Sequence, residues 1–114
     1  MIPSGTVLLG IDGGGSSCRA AAVAGGVRYE VTLGPANVTT GFDGAVATIV
    51  RALGMLADRS GLPSETLFRA PAHLGLAGVV DAALAERVRA ALPLSRATVT
   101  DDRPTTIAGL SERG

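Results

Sequence analysis

The hydrophobic residues in the first third of the chain occur in short runs separated by glycine, a pattern that predicts β-strands joined by tight turns. Thr6 to Ile11 is an apolar, β-branched run typical of a buried strand. Ser17 to Val23 predicts a second strand with small side chains, and Val27 to Leu33 alternates apolar and polar residues with the period of two of a half-buried strand. Because Gly25-Gly26 joins the last two, we expect an antiparallel three-stranded arrangement.

Apolar residues at helical spacing follow a turn-rich segment. They predict a helix that begins near Phe42 or Asp43, with Thr40 as the N-cap, and that ends at Ser60-Gly61. The predicted apolar face of this helix comprises Val46, Ile49, Val50, Leu53, Leu56 and Ala57.

The last third of the chain predicts a strand, a helix and a further strand. Ala72 to Leu76 is a short apolar run, and Asp81 is suited to cap a helix that Pro93 ends. Ala97 to Thr100 predicts a fifth strand that places Asp101-Asp102 at its carboxyl end. The order is therefore β-β-β-α-β-α-β, which predicts an α/β fold with a mixed sheet and helices on its faces.

Composition narrows the class of protein. A chain of 114 residues that is 46% hydrophobic and 18% charged is expected to form one globular domain, residues 1–114. The net charge of zero gives no indication of nucleic acid or of an anionic membrane as a partner. The chain has one cysteine and no lysine, which excludes an internal disulfide and a Walker-type phosphate loop. Without a signal peptide or an apolar span, a cytoplasmic location is expected.

The sequence GIDGGGSSCR, from Gly10 to Arg19, is the most unusual stretch of the chain. A strand follows its glycines where a dinucleotide-binding fingerprint would have a helix, so we interpret it as a β-hairpin turn. Backbone N–H groups in such a turn can form a nest that binds an anion. Asp12 would repel a bare phosphate but is compatible with one if Mg²⁺ lies between them. From these residues alone, a purely structural turn explains the stretch at least as well as a phosphate-binding site does.

Four motifs in order extend this interpretation from Gly10 to Asp102: GIDGGGSSCRA, GPANV, GLAGV and TDD. With the predicted strand meander, they resemble the N-terminal half of the sugar kinase, hsp70 and actin superfamily. More closely, the chain is similar to the BadF/BadG/BcrA/BcrD ATPase family and, within it, to the N-acetylglucosamine and glucosamine kinases. The resemblance implies a ribonuclease H-like (actin-like ATPase) domain that takes part in phosphorylating an amino sugar with ATP and Mg²⁺.

The resemblance also implies roles for individual residues. Asp12 matches the acidic residue that holds Mg²⁺ through water, and Asn37 matches an asparagine that hydrogen-bonds the amino sugar. Asp101 matches the carboxylate that contacts the sugar and serves as general base. The family usually has a small residue after this base, and because Asp102 stands there, it is the alternative base. The positions that match the phosphate-binding hairpin are Gly13, Gly14, Gly15, Ser16 and Ser17.

Structural explanations also exist for several of these residues. From the sequence alone, a turn or a helix cap explains Asp101-Asp102 at least as well as a catalytic role does. A turn also explains Asn37 at least as well as a sugar contact does. Cys18 and His73 are expected to be packing or surface residues, and Arg19 a solvated strand residue.

Two other functions remain open. The same broad family includes ATPase activators of radical dehydratases or reductases, although those usually carry a Gly-Ser-Thr-Thr-type hairpin. A non-catalytic fragment is the other alternative, because family members have two such domains with the nucleotide between them. We therefore expect residues 1–114 to be the N-terminal domain of a kinase, with the nucleotide-completing domain absent from this chain. Association with that domain or with a second copy is also expected.

Overall fold

The structure is a computed structural model that describes residues 7–14, 16–37, 41–79 and 81–101, with the backbone alone at residue 101. Three helices and five strands lie within these ranges. In chain order they are β1 (Val7–Gly13), β2 (Cys18–Ala24), β3 (Val27–Leu33), α1 (Phe42–Ser60), α2 (Ser64–Arg69), β4 (Ala72–Leu76), α3 (Ala82–Ala91) and β5 (Ala97–Asp101).

The strands form one mixed sheet with the order β3-β2-β1-β4-β5. Strands β1, β2 and β3 are an antiparallel meander, whereas β4 and β5 run parallel to β1. The turn between β2 and β3 is made by Gly25 and Gly26, whose φ angles of 57° and 81° are ones that glycine adopts readily. The predicted α/β class and the antiparallel meander are therefore confirmed.

The predicted element order was wrong at one place, because it lacked α2. This helix has six residues and buries only Leu67. Pro63, two residues beyond the end of α1 predicted at Ser60-Gly61, occupies the N-cap position of α2. A helix this short contains less than two turns, so its apolar residues show no recognisable helical period.

The described helices all pack on one face of the sheet, whereas the sequence predicted helices on both faces. The strand residues of that face are Leu9, Ile11, Leu74, Leu76 and their in-register neighbours, which form one core with the buried residues of the helices. The chain crosses from β3 to β4 and then from β4 to β5 in the same direction along the sheet. Because crossovers between parallel strands are right-handed, two that run in the same direction place their helices on the same face.

Helix α1 packs on β2 and β3, and two details of its prediction were wrong. Its N-cap position is taken by Gly41, which makes no side-chain cap, and not by Thr40. Val50 is 42% exposed, while the preceding residue, Ile49, is fully buried. The buried positions of α1 are Ala45, Ile49, Ala52, Leu53 and Leu56. Two alanines, and not Val50, therefore complete the buried face of α1.

Helix α3 begins and ends where its capping residues predict. The Leu84 N–H donates a hydrogen bond of 2.8 Å to Oδ1 of Asp81, which confirms Asp81 as the N-cap. The helix ends at Ala91, two residues before Pro93. Val88 is its buried residue and packs in the same core as α1.

Strand β1 extends to Gly13, two residues beyond the end that its apolar run predicted. Both of its edges are paired to the end, with Gly13 opposite Cys18 of β2 on one side and opposite Leu76 of β4 on the other. Asp12 therefore lies within a central strand and not in a loop. Of the helices in the described ranges, none combines the length and the hydropathy needed to cross a membrane.

Candidate functional site

The carboxyl ends of β1, β4 and β5 lie side by side and form one edge of the sheet, which runs across the strands. This edge carries Asp12 and Asp101, the two acidic residues that the sequence analysis singled out. Asp12 pairs with Gly75, which is opposite Thr100, while Asp101 is opposite Leu76, which pairs with Gly13. Two strand spacings separate β1 from β5, so the backbones of the two aspartates are roughly 10 Å apart. In open α/β sheets, ligands bind at this edge.

The glycine-rich stretch between β1 and β2 forms the predicted hairpin. The Gly14 N–H donates a hydrogen bond of 2.8 Å to the Ser17 carbonyl, which closes the turn. Ser16 at its tip is exposed and Ser17 is half-buried. Gly15, one of the predicted phosphate-binding residues, lies outside the described residues.

Gly13 is required by close packing and not by its backbone angles. Within the described ranges, the residues with positive φ are Gly25, Gly26, Gly61 and Gly78, so Gly13 has an ordinary strand conformation. A Cβ atom added at Gly13 would lie 2.8 Å from Cδ2 of Leu76, 3.1 Å from the Ala36 carbonyl oxygen and 3.3 Å from Cβ of Ala36. Its missing side chain thus faces protein atoms.

The GPAN and GLAGV motifs are held against the hairpin by backbone hydrogen bonds. The Ala36 N–H donates to the Gly14 carbonyl at 3.0 Å, and the Ala77 N–H donates to the Gly13 carbonyl at 2.7 Å. The next residue after Ala36 is Asn37, which is half-buried and whose carbonyl accepts a bond of 3.1 Å from the Gly41 N–H. Three motifs that are far apart in the sequence therefore meet at Gly13 and Gly14.

Asp12 is half-buried, and its Oδ1 atom is fully buried. Burial and, to a smaller extent, the negative charge of Asp12 raise the pKa of the Cys18 thiol to about 11. Cys18 is itself fully buried and is not disulfide-bonded. A neutral, buried thiol is a poor nucleophile and a poor metal ligand, so Cys18 acts here as a packing residue.

A magnesium ion would fit this edge only as a sparsely liganded ion. The described part of the chain contains no group of three or more His, Cys, Asp or Glu residues that could enclose a metal. Mg²⁺ is commonly held by one or two carboxylates together with water and substrate phosphates, which is a requirement that a single aspartate can meet. Asp12 could supply that carboxylate, with the hydroxyls of Ser16 and Ser17 nearby in the same hairpin.

His73 and Thr100, to which the sequence analysis assigned no function, lie on the same face of the sheet as Asp12. Nε2 of His73 is 3.2 Å from Oγ1 of Thr100, within hydrogen-bond distance. Thr100 is in register with Asp12 through Gly75. Thr100 was missed because its relation to Asp12 depends on the parallel register of three strands, which the local pattern does not reveal.

Asp102, the alternative base, lies outside the described residues. Arg19 is exposed on β2, as expected of a solvated strand residue. The described residues also form a depression of about 550 Å³, lined by residues that include Arg69 and Arg96. It lies at the amino ends of β1, β4 and β5, the opposite edge of the sheet from Asp12.

Comparison with known proteins finds similarity among solved structures. No protein-family model matches the chain, and no curated protein sequence matches it significantly. Among solved structures, the chain is similar to a protein from Chromobacterium violaceum described as a "putative N-acetylglucosamine kinase". The TM-score is 0.71 and the sequence identity is 27%, over 94% of this chain and 39% of that chain. This chain thus spans well under half of the length of the protein that it resembles.

Proposed function

We propose that this chain is the N-terminal domain of an enzyme that phosphorylates an amino sugar, glucosamine or N-acetylglucosamine, with ATP. The observation that carries the proposal is the likeness to the Chromobacterium violaceum protein over 94% of this chain. It is supported by the meeting of the hairpin, the GPAN loop and the GLAGV loop at the sheet edge where α/β proteins bind ligands.

In this proposal the first hairpin binds the phosphates of ATP. The hairpin residues Gly13, Gly14, Gly15, Ser16 and Ser17 face the β- and γ-phosphates, with the hydroxyls of Ser16 and Ser17 as hydrogen-bond donors, since the Gly14 N–H closes the turn. Such donors stabilise the charge that spreads over the oxygens of a transferring phosphoryl group. Asp12 holds Mg²⁺ through water, and the ion, when bound, neutralises charge on the phosphates.

The sugar is proposed to bind beside the hairpin. Asn37 hydrogen-bonds the amino sugar, and the Asp101 carboxylate contacts the hydroxyl that is phosphorylated. As that hydroxyl oxygen attacks the γ-phosphorus, its proton passes to Asp101 and the bond from phosphorus to the ADP oxygen breaks. This role is supported by the position of Asp101 at the carboxyl end of β5, where it is in register with Leu76 and, through Leu76, with Gly13 two strands away.

We further infer that the domain belongs to the BadF/BadG/BcrA/BcrD family of the actin-like ATPase superfamily and that a second, nucleotide-completing domain lies outside residues 1–114. The match covers only 39% of the longer Chromobacterium violaceum protein, which supports the existence of a second domain. An isolated first domain would hold only part of the phosphate site, so we expect it to bind ATP weakly and to be inactive.

Release of ADP tests this proposal. The whole protein encoded by the gene is assayed with ATP and Mg²⁺ against glucosamine, N-acetylglucosamine and glucose. We expect turnover that depends on an amino sugar and is low with glucose. ADP release that no sugar accelerates would reject the amino-sugar kinase and favour the alternative of an activator ATPase.

A further inference from the structure

The carbonyl groups of Gly13 and Gly14 connect the hairpin to two other loops. Gly14 accepts the Ala36 N–H at 3.0 Å, and Gly13 accepts the Ala77 N–H at 2.7 Å. We call these two glycines, with Ala36 and Leu76, the glycine junction. No side chain intervenes between its segments at Gly13, so their separation is set by backbone contact.

The glycine junction is closely packed. Ala36 is 1% exposed and Leu76 is fully buried. A methyl group at Gly13 would come within 3.1 Å of the Ala36 carbonyl oxygen, a backbone atom that can move only if its loop moves. The end of the Leu76 side chain, at 2.8 Å, can adjust more easily because it has rotatable bonds. The loop that carries Ala36 would therefore take up much of the displacement.

Displacement of this loop would reach Asn37 directly. Asn37 follows Ala36, and its carbonyl accepts the Gly41 N–H at the start of α1. The loop is thus fixed at one end by the hairpin and at the other by a helix that is packed in the core.

We propose that Gly13 and Ala36 are positioning residues that fix the separation between the phosphate hairpin and the Asn37 loop, so that one contact sets the binding of both substrates. This inference rests on the proposed function for the identity of the two ligands. It differs from the usual explanation of a glycine beside a phosphate, in which the missing side chain leaves room for the ligand. Here the missing side chain leaves room for Ala36 and Leu76.

The test compares Gly13→Ala with Gly34→Ala in the whole protein. Gly34 lies in the same connection between β3 and α1, and a Cβ added there would meet nothing within 4 Å. We expect Gly13→Ala to raise the KM for the amino sugar as well as the KM for ATP, each on the order of tenfold, because sub-ångström displacements of binding groups have effects of this size. Gly34→Ala should leave both constants within about twofold of the wild-type values.

A double-mutant cycle with Asn37→Ala identifies the route of the effect. If Gly13→Ala acts on the sugar through the Asn37 loop, it should raise the sugar KM much less in the Asn37→Ala background, while its effect on the ATP KM persists. Equal effects on the sugar KM in both backgrounds, or an effect on the ATP KM alone, would overturn the inference. If Gly13→Ala does not fold, Ala36→Val enlarges the other side of the same contact, and an unchanged sugar KM in that variant is equally decisive.

Amide hydrogen exchange tests the glycine junction without any substrate. We expect Gly13→Ala to accelerate exchange in the segment 34–37 by about tenfold or more, because the bond from the Ala36 N–H is stretched, and Gly34→Ala to leave the Ala36 amide protected. Unchanged exchange at Ala36 in a folded Gly13→Ala protein would overturn the glycine junction. A wild-type protein that phosphorylates no amino sugar would instead reject the proposed function, and the exchange result would still decide this inference.

Discussion

The Cys18 thiol and the Asp12 carboxylate lie on adjoining strands of the first hairpin, and the charge of Asp12 adds to the effect of burial on the pKa of Cys18. Gly13, next to Asp12, is the residue paired with Cys18. Burial is the larger cause, and the pKa of the thiol rises to about 11 from 9.0. The proposed metal-binding residue can therefore be monitored through a thiol beside it.

We predict a loss of stability at alkaline pH that depends on Cys18. The thiol keeps its proton in the folded protein up to a pH of about 11, whereas in the unfolded chain it loses the proton near 9.0. Between these two pH values the unfolded state binds fewer protons than the folded state. Deprotonation of the thiol therefore stabilises the unfolded state, and the free energy of unfolding falls as pH rises through this window. The stability should be unaffected by this group below pH 9 and should fall by roughly 2 kcal/mol by pH 11.

Urea unfolding of the wild type and of Cys18→Ala between pH 7 and pH 11 measures this contribution. The difference in the free energy of unfolding between the two proteins should be constant up to about pH 8 and should then shrink, since the alanine variant lacks the titrating group. A constant difference up to pH 11 would show that the pKa of Cys18 is not raised.

A second prediction concerns the buried stripe of α1. Ile49 is fully buried, whereas its neighbour Val50 is 42% exposed. Ile49→Ala should lower the free energy of unfolding by about 2 to 5 kcal/mol, because it leaves a cavity in the core. Val50→Ala should change it by less than about 0.5 kcal/mol. Thermal unfolding of the two variants would contradict the observed helix orientation if Val50→Ala were the more destabilising.

A third prediction concerns Asp12 as the proposed holder of Mg²⁺. Asp12→Asn should raise the Mg²⁺ concentration needed for half-maximal activity and lower kcat, by about tenfold or more, because the substitution removes the charge that attracts the ion. Asp43→Asn is the matched control, since Asp43 is exposed in the first turn of α1. The activity of both variants is measured over a titration of MgCl₂.

The Cys18 thiol reports whether the Asp12→Asn protein is folded. Its pKa should move down but stay above 9.0, because the larger cause, burial, is retained. A folded Asp12→Asn protein with wild-type dependence on Mg²⁺ would remove Asp12 from the proposed metal site.

The strands and the two longer helices could be predicted from the sequence because their signals are local. The alternation over residues 27–33 predicted β3 with its observed bounds, and the apolar run over residues 72–76 did the same for β4. Helix α2 was missed because six residues show no helical period. The packing of the helices on one face was missed because it depends on the direction of two crossovers, which is a property of the topology.

The same distinction applies to the candidate site. The sequence indicated that Asp12 and Asp101 each follow a predicted strand, and the parallel register of β1, β4 and β5 places both at one edge. The reason for glycine at position 13 could not be predicted, because Ala36 and Leu76, which occupy the space beside it, are distant in the sequence. A contact of this kind appears only when the chain is folded.

The most direct test of the central claim is transfer of labelled phosphate from the γ-position of ATP to an amino sugar by the whole protein. We predict labelled glucosamine or N-acetylglucosamine with the wild type and a rate lower by about 100-fold or more with Asp101→Asn, which removes the proposed base. Asp102→Asn is the matched control and should retain most of the activity. The absence of label on any amino sugar would contradict the proposed kinase, and loss of transfer in Asp102→Asn with retention in Asp101→Asn would assign the base to Asp102.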